Sequence, residues 1–151
     1  MAWIGAVKAP PGCIFCNAFS STDDRGQLVV TRTEHAFIIL NAYPYAPGHL
    51  MVALKRHIGA VPEARVEELT DVMALVQRAV VALTDEYRPA GYNIGLNQGS
   101  AAGAGIADHL HMHVVPRWPG DANFMATVGE VRVLPETLER TWERVRSRLG
   151  G

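Results

Sequence analysis

The stretch His109-Leu110-His111-Met112-His113-Val114-Val115 decides the fold of this chain. In it, three histidines alternate with apolar residues. Successive side chains of an extended strand point to opposite faces, so the alternation predicts a strand with all three imidazoles on one face. Imidazole titrates near neutrality, binds metals, and acts as a nucleophile or an acid-base catalyst. Three histidines on one face therefore favour metal binding or catalysis. The alternative interpretation is a half-buried strand in which the histidines have no function.

The length and composition of the chain are typical of one ordinary globular domain. Its 151 residues can bury a core without disulfides, and 48% of them are hydrophobic and 19% charged. A formal net charge of -1 gives no electrostatic case for binding nucleic acid or an anionic membrane. No apolar run approaches the roughly 20 residues of a membrane span, and residues 1–8 show no secretory signal. We therefore expect a cytoplasmic protein.

The two cysteines, Cys13 and Cys16, have the spacing C-x-x-C. In a reducing compartment this spacing indicates a metal site or redox use more than a structural disulfide. A buried pair of free thiols is the alternative. The pair is expected to form a tight knuckle, and residues 1–12 a lead-in before it.

The strands predicted outside the histidine stretch are short and lie on both sides of one long helix. Runs of β-forming residues predict them at 28–32, 36–40, 49–54 and 92–97, with a further short strand at 128–133. Residues 41–48 contain two prolines and a glycine, which interrupt regular structure between the second and third strands.

Two helices are predicted from apolar stripes. Apolar residues recur at steps of three and four from Val66 to Tyr87, which predicts a long helix that starts near Pro62. Pro135 opens a second helix at the C-terminus. Because no βαβ pattern repeats, the order of elements favours an α+β domain on an antiparallel sheet. Such a sheet has exposed edges that dimerisation could cover.

The loop Gln98–Gly105 is a candidate phosphate cradle. It consists largely of glycine and alanine, so backbone N–H groups can approach an anion, and it has no lysine of the kind a Walker motif carries. An imidazole beside such a cradle can attack phosphorus and form a covalent phospho- or nucleotidyl-histidine. Backbone donors and neighbouring imidazoles would stabilise the charge on the phosphoryl oxygens.

The chain resembles the histidine triad (HIT) superfamily at these residues. The stretch 109–115 matches the family pattern of three histidines alternating with apolar residues, Pro116-Arg117 continues it, and 41–49 looks like the family segment N-x-x-P-x-x-P-G-H. The resemblance spans residues 13–149. It implies a HIT-like α+β fold with an antiparallel sheet of about five strands, one long helix and a C-terminal helix. It also implies a single HIT domain over 13–151.

The resemblance implies catalytic roles for the three histidines. His111 is the nucleophile that attacks the α-phosphate of a nucleotide, and His109 and His113 orient it and shape the charge around the phosphate. The implied substrate-binding residues are Asn41 at the ribose, His49 behind the triad, Asn97 or its rival Gln98 near the phosphates, and Trp118, for which a core anchor is the alternative.

The loop before the triad departs from the family pattern. Many members carry a glutamine near the leaving group, whereas residues 102–108 here are one residue longer and lack it. The backbone amides of Ala104 and Gly105 then become the expected phosphate ligands. The longer loop, Pro116-Arg117-Trp118 and residues 120–125 resemble bacterial HIT proteins of the diadenosine tetraphosphate phosphorylase and dinucleoside polyphosphate hydrolase type.

The resemblance also implies a structural zinc site. Some HIT branches, and the related galactose-1-phosphate uridylyltransferases, bind zinc through C-x-x-C, a histidine after the third strand and the first triad histidine. This sequence has a residue at each position: Cys13, Cys16, His57 and His109. Two thiolates and two imidazoles make a closed tetrahedral site. No organic cofactor is expected.

The resulting expectation is a homodimeric enzyme that cleaves dinucleoside polyphosphates, such as diadenosine tetraphosphate, through a covalent nucleotidyl-histidine on His111. Water or phosphate resolves the intermediate. The alternatives are a purine nucleoside phosphoramidase-like HIT hydrolase, a zinc-stabilised nucleotide-binding module without turnover, and a redox or hydrolytic site with metal at His111 and His113. The expected partners are a nucleotide and a second copy of the chain, with no nucleic acid and no membrane.

Overall fold

A five-stranded antiparallel sheet forms the centre of the molecule, with strand order β1-β2-β3-β5-β4. The computed structural model describes residues 12–105, 108–121 and 136–150. The strands in those ranges are β1 (Val29–Arg32), β2 (Ala36–Leu40), β3 (Leu50–Leu54), β4 (Gly91–Leu96) and β5 (His111–Arg117). The α-helices there are α1 (Ile14–Ser20), α2 (Val66–Tyr87) and α3 (Leu138–Leu149).

The predicted α+β architecture is confirmed, including the long helix and the C-terminal helix. Two local predictions differ from the structure. The cysteine pair, predicted as a tight knuckle, lies at the start of helix α1, with Cys13 as the N-cap and Cys16 in the first turn. The long helix begins at Val66 rather than near Pro62, which lies in a separate 3-10 turn. The strand predicted at 128–133 and most of the lead-in at 1–12 lie outside the described residues. None of the helices within the described ranges is long and apolar enough to cross a membrane.

The two faces of the sheet are covered differently. On one face, Leu110 and Val114 pack into a large core with helices α2 and α3. On the other face, Phe15 of α1 belongs to a smaller cluster with Phe37 of β2 and Met51 of β3. The described residues of this smaller cluster come from α1 and strands β1 to β3. Helix α1 therefore reaches β5 only at its first residue, through Phe15, and leaves β4 and the rest of β5 uncovered on the face to which the histidines point.

The start of helix α2 holds the segment after β3 in place. The Glu68 carboxylate, 2% exposed, accepts a hydrogen bond from the backbone N–H of Arg65 at 2.8 Å, and two from the Arg56 guanidinium at 2.7 and 2.9 Å. Arg56 also donates to the carbonyl of Glu63. These bonds fix the segment that carries His57. The hydrogen bonds from Arg56 are the largest cause that lowers the pKa of Glu68 from 4.5 to about 2.

We expect Glu68→Gln to lower the free energy of unfolding by about 2 kcal/mol at pH 7, because Arg56 loses its charged partner. The pKa of Glu68 is depressed in the folded state, so its contribution is complete above pH 4.5 and disappears as the pH falls towards 2. Urea unfolding at several pH values should show the two proteins converging below pH 4.5. Glu67→Gln, at an exposed position of the same turn, is the matched control. A difference between wild type and Glu68→Gln that does not change with pH would contradict this account.

Candidate functional site

A cleft of about 810 Å³ opens on the uncovered face of the sheet. Its walls come from α1, the loop after β2, strands β3 to β5 and the loop after β4. His111 and His113 lie on its floor, and Gly103 and Gly105 of the predicted phosphate cradle line it. A space of this size can hold a nucleotide.

The hydrogen bonding of His111 fixes the position of its proton. Its Nδ1 lies 2.7 Å from the carbonyl oxygen of His109. A carbonyl oxygen only accepts, so Nδ1 carries the hydrogen and the neutral ring has its lone pair on Nε2. The residue is 7% exposed, and burial lowers the pKa of the imidazole although the bond to the His109 carbonyl opposes the shift. His111 is therefore a neutral imidazole with an available Nε2.

A second chain of hydrogen bonds fixes the tautomer of His113. The backbone N–H of Tyr45 donates to Nδ1 of His49 at 3.1 Å, so the neutral His49 ring carries its hydrogen on Nε2. That group lies 3.0 Å from Nδ1 of His113 and donates to it. The His113 ring therefore carries its own hydrogen on Nε2. Burial first, and then the nearby His111, lower the pKa of His113.

Four side chains, Cys13, Cys16, His57 and His109, form a compact cluster at the start of β5. Nδ1 of His109 lies 3.4 Å from both sulfur atoms and 3.2 Å from Nδ1 of His57, which lies 3.3 Å from Sγ of Cys16. Tetrahedral zinc with two sulfur and two nitrogen ligands separates its ligand atoms by about 3.3–3.8 Å. The four residues therefore fit one zinc ion.

The surroundings of the cluster suit metal binding. Nε2 of His109 donates to the carbonyl of Leu54 at 2.6 Å, which leaves the Nδ1 lone pair directed at the cluster. Burial lowers the pKa of His109 to about 4. Burial and the neighbouring Cys13 raise the pKa of Cys16 to about 12. Both pKa shifts favour the uncharged form, a neutral imidazole at His109 and a protonated thiol at Cys16. A divalent cation would supply the positive charge that stabilises the thiolates.

Helix α1 links the cluster to the cleft through Phe15, which sequence reasoning missed. This fully buried ring lies between the two cysteines in sequence, with its centroid 4.6 Å from that of His111 and 5.1 Å from that of His109. Its position inside the C-x-x-C pair was the available signal, because a residue flanked by two ligands of one site lies within a few ångströms of that site along the chain.

The structure brings three of the predicted substrate-binding residues to the cleft. Asn41, Asn97 and Gly105 all line it. The Oδ1 atom of Asn41 accepts the backbone N–H of Tyr43 at 2.8 Å, and its Nδ2 lies 3.4 Å from Nε2 of His49. His49 is only 1% exposed and lies behind His113, as the resemblance implied.

Three other residues expected at the substrate have different neighbours in the structure. The Gln98 carboxamide accepts the backbone N–H of Val61 at 2.8 Å, and the Ala104 N–H donates to the carbonyl of Gly99 at 3.3 Å. Trp118 lies after β5, and its backbone N–H donates to the carboxylate of Asp121. Other hydrogen bonds, long-range for Gln98 and local for Ala104, use these groups, and spacing along the chain does not reveal them. Of the two rival carboxamides, Asn97 lines the cleft and Gln98 does not.

The fold and the site together define a small α+β protein with a histidine-lined cleft of nucleotide size. The HIT domain family matches residues 24–120. The chain is 42% identical over 134 residues to AP-4-A phosphorylase of Mycobacterium tuberculosis, which covers 89% of this chain and 68% of that protein. It is 32% identical over 85 residues to bis(5'-adenosyl)-triphosphatase of Dictyostelium discoideum, covering 56% of each.

A solved structure is also similar over nearly the whole chain. A zinc-bound histidine triad family protein from Mycobacterium smegmatis superimposes with a TM-score of 0.73 at 28% identity, covering 92% of this chain and 94% of that one. The chain belongs to the HIT domain family.

The geometry of the cluster predicts that replacing both Cys13 and Cys16 with alanine abolishes zinc binding. We expect this variant to lose at least about 2 kcal/mol of unfolding free energy, because the cross-link between α1 and His109 disappears. Elemental analysis and urea unfolding measure the two effects. Ile14→Ala, a change between the cysteines at a side chain 47% exposed, should keep its zinc. Wild-type zinc content in the double variant would show that these thiols are not ligands.

Proposed function

We propose that this protein is a nucleotide hydrolase or nucleotidyltransferase that cleaves dinucleoside polyphosphates through a covalent intermediate on His111. The observation that carries the proposal is the neutral His111 imidazole, whose Nε2 lone pair lies in a cleft of nucleotide size beside a glycine-rich loop. The relatives named AP-4-A phosphorylase and bis(5'-adenosyl)-triphosphatase support this class of activity and substrate.

In the proposed first step, Nε2 of His111 attacks the α-phosphorus and forms a P–N bond while the P–O bond to the leaving nucleotide breaks. The leaving group departs with the electron pair of that bond as a phosphate oxyanion, which needs no added proton. His111 keeps its Nδ1 hydrogen on the carbonyl of His109, which stabilises the charge that develops on the ring. The Nε2–H of His113 and the Asn97 carboxamide donate to phosphoryl oxygens.

In the proposed second step, water or inorganic phosphate attacks the same phosphorus, and the P–N bond breaks. Nε2 of His111 regains its lone pair, and the mononucleotide or the nucleoside diphosphate leaves. When water attacks, its proton passes to solvent. Two displacements at one phosphorus replace a single direct displacement, which is the advantage of covalent catalysis.

We also propose that Cys13, Cys16, His57 and His109 hold a structural zinc ion. The zinc-bound relative from Mycobacterium smegmatis supports this assignment. Bound zinc would link three parts of the chain: α1, the segment after β3 that carries His57, and His109, which lies two residues before β5. His109 would then orient His111 through its backbone carbonyl rather than take part in the chemistry itself. Free thiols in this cluster require a reducing compartment, which favours the cytoplasm.

A homodimer through the β4 edge is the assembly that we propose. Strand β4 is the last strand of the sheet, and Ile94 on it is 45% exposed. An apolar cavity of about 210 Å³ continues from β4 to helix α2, where Leu69 and Met73 line it and Met73 is 48% exposed. A second copy pairing along β4 would cover both the strand edge and this apolar surface.

We expect His111→Ala to lower kcat/KM for diadenosine tetraphosphate by at least about a thousandfold, because none of the other described residues that line the cleft offers this lone pair. Wild type quenched during turnover should carry the added mass of one adenylyl group on the peptide with His111. His35→Ala, a histidine in the connection between β1 and β2, should remain active and is the matched control.

Turnover by His111→Ala near the wild-type rate would refute the covalent mechanism. Nucleotide binding by wild type with neither turnover nor adduct would favour the binding module instead. The same assay run with and without inorganic phosphate separates phosphorolysis from hydrolysis, and a phosphoramidate substrate tests the phosphoramidase alternative.

For the assembly, we expect Ile94→Lys to convert the dimer to a monomer in sedimentation velocity experiments, because a charge would face the partner strand. Ile14→Lys places the same charge at a similarly exposed isoleucine on α1, away from β4, and should remain dimeric. A monomeric wild type, or a dimeric Ile94→Lys variant, would contradict the proposed interface.

A further inference from the structure

One face of β4 and of the residue after it carries an alternation of which the proposed mechanism uses only Asn97. Asn93, Gly95 and Asn97 all line the cleft. Gly95 pairs with His113 of β5 and Asn93 pairs with Val115, so this row runs beside the histidines. A Cβ atom placed on Gly95 would meet no atom within 4 Å. The open space above Gly95, between the carboxamides of Asn93 and Asn97, is called the β4 trough.

The Asn93 carboxamide is held in one orientation. Nη1 of Arg117 donates to Oδ1 of Asn93 at 2.8 Å. Because a guanidinium only donates, the amide oxygen must face Arg117, and the NH₂ group is the remaining donor. Arg117 is itself held by Asp121 through two bonds, at 2.7 and 2.8 Å. The amide of Asn93 is thus a preorganised hydrogen-bond donor at the cleft.

The hydrogen-bond donors and the position of this end of the trough suit an anionic chain. Arg117, whose charge is paired with Asp121, is the one residue with a permanent positive charge among the described residues that line the cleft. Gly95 lies beside His113 in the sheet. Asn93 is two residues from Gly95 along β4, so it lies roughly 7 Å further along the strand than His113. A short run of bridged phosphates spans such a distance from a phosphorus held at the histidines.

The cleft also extends to the other side of the histidines, towards Asn41, and we call this part the Asn41 arm. The backbone N–H of Asn41 donates to the carbonyl of His49, which places Asn41 at the end of β2 in the same row as Val115 and Asn93. Strands β3 and β5 lie between the two carboxamides, so they are roughly 14 Å apart. Asn41 and Asn93 therefore mark two arms that meet at the histidines.

We propose that Asn93 is a specificity-determining residue that binds the leaving polyphosphate chain of the substrate, with Arg117 as its positioning residue. The inference rests on the proposed function, in which the transferred nucleoside occupies the Asn41 arm. The β4 trough then receives the group that departs when His111 attacks. The NH₂ of Asn93 donates to a non-bridging phosphate oxygen beyond the attacked phosphorus, so only substrates with a long enough leaving chain reach it.

The test compares two substrates that transfer the same nucleotide. Diadenosine tetraphosphate has a polyphosphate leaving chain, whereas adenosine 5'-phosphoramidate releases only ammonia. Asn93→Asp keeps the size of the side chain and the oxygen that faces Arg117, but replaces the NH₂ donor with a negatively charged oxygen. We expect the ratio of kcat/KM for the tetraphosphate to that for the phosphoramidate to fall about tenfold or more, mainly through KM.

Two further variants make the result specific. Asn93→Ser removes the donor without adding charge, and should shift the same ratio in the same direction by a smaller factor. Asn97→Asp, the matched change beside the attacked phosphate, should lower kcat/KM for both substrates and leave their ratio near that of wild type. Thermal unfolding of each variant confirms that it is folded.

An unchanged substrate ratio in both Asn93 variants would overturn the inference, whether activity falls equally on the two substrates or on neither. A wild-type protein that turns over neither substrate would overturn the proposed function together with this inference. Turnover of both substrates with an adduct on His111, but no change of ratio in the Asn93 variants, would overturn the role of Asn93 alone.

Discussion

The hydrogen bond from Nδ1 of His111 to the carbonyl of His109 is the interaction on which the site depends. It holds the hydrogen on one ring nitrogen and leaves the lone pair on the other. The residue that supplies the carbonyl is fully buried and is itself held on both sides, by Leu54 at Nε2 and by the cysteine-histidine cluster at Nδ1. The cluster at one end of the cleft therefore sets the position of His111, although none of its four members lines the cleft.

His49 and His109 follow the same rule, because each is paired with a backbone group that can act in only one way. The N–H of Tyr45 can only donate to His49, and the carbonyl of Leu54 can only accept from His109. These one-way partners determine every proton from His49 through to His113. Three histidines that are equivalent in sequence thereby acquire three different proposed functions: His109 as a metal ligand, His111 as the nucleophile and His113 as a hydrogen-bond donor.

Sequence reasoning reached the sheet, the long helix and the histidine face because these depend on periodicity, which one strand or one helix displays by itself. It could not place Gln98 or the amide of Ala104, because a long-range hydrogen bond from Val61 holds the Gln98 carboxamide and a local turn with Gly99 uses the Ala104 N–H. It found Asn97 but overlooked Asn93 four positions earlier. The alternation of asparagine and glycine in 91–97 was visible, yet only the pairing of β4 with β5 shows that this face lies beside His113.

Burial that keeps the histidines neutral also limits how the cleft can attract a polyanion. A neutral imidazole is the nucleophilic form, but it brings no positive charge to the phosphates, and the net charge of -1 provides no long-range attraction either. Stabilisation of phosphate charge must then come from oriented N–H donors within the cleft. The Asn97 carboxamide and the Nε2–H of His113 serve the attacked phosphorus in the proposed mechanism. Charge further along a substrate requires donors further along the sheet, and Asn93 beside Arg117 has that position.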